Sequence, residues 1–134
     1  MAKVNAMKDY PELRDLGDRQ QTITSPILLV GERNKHLGPR IDFAKVSVRF
    51  KPSEKFEVID LVGADDGARK FGFPDQFISG LLEILTANKN GPLTRISVTL
   101  MEAVHDAIDS SPRAFFEAGR DAGRQLLNVN GEER

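Results

Sequence analysis

Ala44-Lys45-Val46-Ser47-Val48-Arg49-Phe50 alternates apolar and polar residues without a break. A period of two belongs to a β-strand, and the polar half of the pattern gives the sheet one face in water. The strand signal resumes at Phe56, Val58, Ile59 and Leu61, beyond Lys51-Pro-Ser-Glu-Lys55. Pro52 has no amide to donate to a ladder, so this connection reads as a turn, and the two strands are expected to pair antiparallel as a hairpin. The alternation slips between Val58 and Ile59, which fits either a bulge or burial on both faces.

Upstream, Pro26-Ile-Leu-Leu-Val-Gly31 is a short apolar run bounded by turn formers, expected as a strand buried on both faces. Glu32 to Ile41 follows, with Asn34, Gly38 and Pro39 as turn formers and more bases than acids, and reads as a basic loop. Downstream, Gly63 to Lys70 is small and charged. Phe77, Ile78, Leu81, Leu82 and Leu85 then recur at helical spacing, which predicts a helix from about Pro74 to Asn88. Ile96, Val98 and Leu100 alternate with Ser97, Thr99 and Met101 as a fourth strand, and Glu102 to Asp109 reads as a loop. Asp109-Ser-Ser-Pro112 is a helix start: a hydroxyl or carboxylate caps free amides, and Pro112 fits a first turn where no amide bond is lost. This second helix should run to about Leu127, with Ala118, Gly119, Ala122 and Gly123 bringing its backbone close to the sheet. Each glycine costs about 1 kcal/mol of helix propensity against alanine, so tight packing must offset it. Residues 1–24 read as a polar arm, extended or partly ordered, 25–127 as the domain, and 128–134 as a polar, fraying tail. The order is β-β-β-α-β-α, an α+β chain with no internal repeat.

The 134 residues suit one domain with a single core. The absence of cysteine excludes disulfides, thiolate zinc sites and cysteine nucleophiles, and makes a reducing, cytoplasmic setting the expectation. No apolar run has the length of a signal peptide or a bilayer span, so no membrane partner is expected. A net charge of −1 gives no overall attraction to nucleic acid. Contact with RNA would have to come from a local patch, and Arg33, Lys35, His36 and Arg40 make one, with Gly38 permitting close backbone approach. An ordinary charged surface loop reads equally well.

Catalytic chemistry finds little to build on. The chain has no phosphate-binding Gly-x-x-x-x-Gly-Lys loop and no Asn-Lys-x-Asp base-recognition motif, so neither a bound nucleotide nor any other cofactor is expected. His105-Asp106 could be a base with its orienting carboxylate, but sequence neighbours rarely face each other and no nucleophile accompanies them. Asp65, Asp66, Asp109 and His105 lack metal-ligand spacing. Phe73, Phe77, Phe115 and Phe116 stand among aliphatic residues and fit a core better than a platform for stacking bases.

Three segments, in the same order along the chain, resemble domain IV of elongation factor G. They are Val104-His-Asp-Ala-Ile-Asp-Ser-Ser-Pro-Arg-Ala-Phe115, then Phe73-Pro-Asp-Gln-Phe-Ile78 with its following Asn90-Gly-Pro-Leu93 turn, and Gly38-Pro-Arg-Ile-Asp-Phe-Ala-Lys-Val46. The resemblance spans roughly Ile27 to Leu127. It implies a four-stranded sheet with two helices packed on one face, as in several ribosomal proteins, with a left-handed βαβ crossover. It also implies a non-catalytic, tRNA-mimicking tip in which the loop of His105 and the loop of Arg40 lie together and contact the ribosome or its RNA. Aligned without gaps from Asp-Ser-Ser, the family's tip histidine falls on Asp106; a one-residue shift places it on His105. The candidate contact residues are therefore Arg33, Lys35, His36, Arg40, His105 and Asp106, with the ribosome and other translation factors as implied partners. The family's GTPase activity resides in other domains. A protein-interaction or self-assembly module that kept the fold without ribosome binding is the competing expectation.

Overall fold

The computed structural model describes residues 3–4, 10, 13, 16, 19–62, 72–106 and 109–132. Its elements are β1 (Lys3–Val4), β2 (Ile27–Leu37), β3 (Arg40–Pro52), β4 (Glu57–Asp60), α1 (Phe73–Thr86), β5 (Ile96–Val104) and α2 (Pro112–Glu132). The strands form one mixed sheet in the order β1-β4-β5-β3-β2. This is the α+β fold with two helices on four principal strands; the two-residue β1 adds a short edge by pairing with Asp60 and Ile59.

Ala44, Val46, Val48 and Phe50 of β3 are all fully buried and share one core with Phe77, Leu81 and Leu85 of α1 and Phe115, Ala118, Ala122 and Leu126 of α2. Both helices therefore cover the apolar face of the sheet, and Lys45, Ser47, Arg49 and Lys51 lie on the other. Phe73, Phe77 and Phe115 sit in this core as expected, whereas Phe116 is only half-buried. Tyr10 and Ile23, from the stretch read as a polar arm, also belong to the core, and Tyr10 meets Phe56 edge-on at 5.4 Å. The Gly63 to Lys70 segment, with Asp65 and Asp66, lies outside the described residues.

The pairing departs from the expected hairpin. β3 and β4 are not partners; β5 lies between them, antiparallel to β3 and parallel to β4. The reason lies in β5 itself, whose residues Ile96 to Leu100 are buried on both faces, Ser97 and Thr99 included. A strand in the middle of a sheet has hydrogen-bonding partners along both edges, and β5 has them in β3 and β4. The register irregularity also lies elsewhere than at Val58 and Ile59: it falls between Ser47 and Val48, opposite the extra residue Met101 of β5.

β2 is not buried on both faces. It is an edge strand, with Leu28 70% and Val30 37% exposed. Its free edge is partly covered by α2, because Asp121 Oδ2 accepts the Glu32 amide at 2.9 Å and Gln125 Nε2 donates to the Val30 carbonyl at 2.7 Å.

The small residues of α2 divide their work. Ala118 and Ala122 face β2 at Gly31, where an added Cβ would lie 2.5 Å from the Ala118 carbonyl oxygen and 2.9 Å from Ala122 Cβ. Gly119 and Gly123 face α1, where they approach the Phe77 backbone and Ile84, so they bring helix onto helix and not helix onto sheet. α2 continues to Glu132, past the expected end at Leu127.

Candidate functional site

Strands β2 and β3 pair without interruption from Ile27 and Phe50 to Leu37 and Arg40. The stretch read as a basic loop is therefore a hairpin end. Its turn is only Gly38-Pro39, and Gly38 takes the left-handed conformation (φ 66°) that lets so short a connection close. The last β3–β5 pair is Lys45 with Val104, so the hairpin projects beyond the body of the sheet.

Alternation along this hairpin sorts the basic residues. Arg33 and Lys35 lie on the side that also carries Asp42 and Ala44, while His36 lies opposite Ile41 on the other side. Lys35 and His36 are exposed. Arg33 is engaged: its Nη2 stands 3.6 Å from Oδ2 of Asp42, a carboxylate only 1% exposed. Arg40 is placed by its backbone at the start of β3, and its side chain lies outside the described part of the structure.

The second loop docks against the base of the hairpin. The Phe43 amide donates to the Asp109 carbonyl at 2.9 Å, and Ser110 Oγ donates to the Phe43 carbonyl at 2.7 Å. Ser110 Oγ also accepts the Asp106 amide at 2.8 Å, and the Ser110 amide donates to the Asp106 carbonyl at 3.0 Å. Asp106 Oδ1 accepts the Asp109 amide at 3.0 Å, so this carboxylate closes its own turn, a common role for aspartate in a loop. His105 is half-buried and Asp106 exposed. Next along the chain, Ser111 Oγ accepts the Ala114 amide at 3.1 Å and caps α2, which begins at Pro112 as the sequence leads one to expect.

The structure thus brings two of the anticipated segments together, with Ser110 as the residue that joins them. Ser110 reads in the sequence only as part of a helix cap, and nothing in the pattern signals that its hydroxyl reaches across to Phe43. Among the described residues, no three of His, Asp and Glu stand together as a metal-binding set, and no helix is long and apolar enough to cross a membrane.

The sequence pattern of the family described as elongation factor G, domain IV matches residues 19–129. The chain belongs to this family. Its similarity to curated elongation factor G proteins is 29% identity over 123 residues with that of Wolbachia pipientis, covering 84% of this chain and 17% of the relative. With that of Neorickettsia sennetsu it is 29% over 127 residues, covering 87% of this chain and 18% of the relative. The chain therefore spans less than a fifth of the length of these relatives. A Thermus thermophilus protein of known crystal structure shares the fold, with a TM-score of 0.69 at 17% identity over 83% of this chain and 17% of that one. In this structure the base of the hairpin, at Phe43, is hydrogen-bonded to Asp109 and Ser110 of the segment that precedes α2.

Proposed function

We propose that this domain is a non-catalytic, cytoplasmic binding module of translation, whose projecting hairpin and adjoining loop contact the ribosome through its RNA. Membership of the elongation factor G domain IV family supports the setting. The observation that carries the contact surface is the joining of the two segments at Phe43, which fixes the hairpin and the His105 loop as one unit. A unit ordered before contact loses less conformational entropy on docking than two free loops would.

The residues then take different roles. Lys35 and His36 are exposed on opposite sides of the hairpin and are free to approach phosphate, with Arg40 beside the turn as the third contact. Arg33 stiffens the hairpin through Asp42. His105 contributes from the adjoining loop, and Asp106 holds that loop in shape.

The test is co-sedimentation of the purified protein with small ribosomal subunits across a salt series. Binding should weaken as salt rises, because phosphate contacts release counterions. Lys35→Ala and Arg40→Ala should each lower the bound fraction and flatten the salt dependence, and Lys35→Ala, at an exposed position, should leave the thermal unfolding midpoint in place. Arg33→Ala should do the reverse, lowering the midpoint first. No sedimentation at low salt would end the ribosome reading.

A further inference from the structure

The sheet face turned away from the helices is not the polar surface that its strongest strand promises. Along β2 it presents Leu28 and Val30, 70% and 37% exposed, and on the far side Leu61 at 39%. Between them lie Met101 and Val104 of β5, 37% and 42% exposed, with Ile59 half-buried beside them. Register sets these residues in rows across the strands. One row runs Leu28, Arg49, Thr99, Ile59, and the next runs Val30, Ser47, then Met101 and Glu102, and Leu61. Exposed apolar residues grouped in this way mark a surface that something covers.

The charges on this face say what. β3 contributes Lys45, Arg49 and Lys51, and its neighbours contribute Glu32 from β2, Glu102 from β5 and Glu57 from β4. Bases run down one side of the midline between β3 and β5, and acids and apolar residues flank them. A two-fold axis along the strands over that midline lays β3 on β5 of a second copy and β2 on its β4, close to the alignment that stacked sheets adopt. Leu28 and Val30 then meet Ile59 and Leu61, Lys45 and Arg49 straddle Glu102, and Lys51 comes beside Glu57. A face that matches itself under two-fold rotation is what an isologous dimer requires. We infer that this chain forms a homodimer through the open face of its sheet, leaving the hairpin 33–42 of each copy projecting beyond the interface.

The chain has no cysteine, which makes cross-linking a clean test. Sedimentation equilibrium of the whole chain should give a dimer that Leu28→Asp converts to monomer, whereas Val129→Asp, an exposed apolar position on α2, should leave it intact. Circular dichroism of each variant separates loss of the dimer from loss of the fold. On mild oxidation, a mixture of Val30→Cys and Leu61→Cys chains should form a mixed disulfide, and neither variant should cross-link alone. A monomer at every concentration would overturn the proposal and leave the face to a different occupant. A Val30→Cys chain that links to itself would also overturn it, because that outcome reports pairing of β2 edges and not stacking of sheet faces.

Discussion

Gly119 stands where α2 crosses α1, and a methyl group there would run into the Phe77 carbonyl and come 2.9 Å from the Leu81 amide nitrogen. Two effects oppose each other in Gly119→Ala. Helix propensity favours alanine by about 1 kcal/mol, while forcing an atom into a packed backbone crossing costs about 1–3 kcal/mol or more. Both obstructing groups are main chain and cannot rotate away, so the steric cost wins. Gly119→Ala is expected to lower stability by roughly 1–2 kcal/mol, seen as a lower urea midpoint with an unchanged slope. Other residues show the same dependence on what they touch. Arg33 reads as a surface base in the sequence, and the buried carboxylate of Asp42 makes it a support. Ser110 reads as half of a cap and instead fastens two segments of the tip together.

Among the elements, those with one apolar side were legible. β3 declares itself by strict alternation, α1 by its repeated leucines and isoleucines, and the start of α2 by a cap and proline that the structure retains. Three features were hidden, each for a physical reason. The hairpin beyond Ala44 projects past the body of the sheet, so its residues carry no apolar stripe to mark them as strand. The central place of β5 was masked because the polar residues Ser97 and Thr99, which alternate with its apolar ones, are themselves buried and give the pattern of a strand with one wet face. The adjacency of β3 and β4 looked natural from the turn-like Lys51 to Lys55, yet turn chemistry fixes only that the chain bends and not which strand it joins. Unpaired strand edges invite other chains, and α2 covers that of β2 with the side chains of Asp121 and Gln125. Replacing both with alanine is expected to raise light scattering on mild heating well before the unfolding midpoint, a change that single surface substitutions elsewhere on α2 should not produce.

At the scale of the molecule, the surfaces divide into a projecting tip, a face covered by helices and an open face that is partly apolar. The proposed ribosome contact concerns the first, core packing explains the second, and the proposed dimer concerns the third. What joins them is β5, the middle strand of the sheet and the last to be made. A chain stopped after Arg95 would keep β2 and β3 as an isolated hairpin, which is marginal in water, and would leave β4 with its main partner missing. Such a chain is expected to show no cooperative urea transition. During synthesis the same order imposes a delay: the N-terminal strands emerge with apolar flanks exposed and cannot be joined into a sheet until Ile96 to Val104 has been added. Non-local pairing of this kind slows folding and lengthens the time that sticky surfaces stay open. The nascent polypeptide is therefore most vulnerable to misassociation just before its central strand arrives.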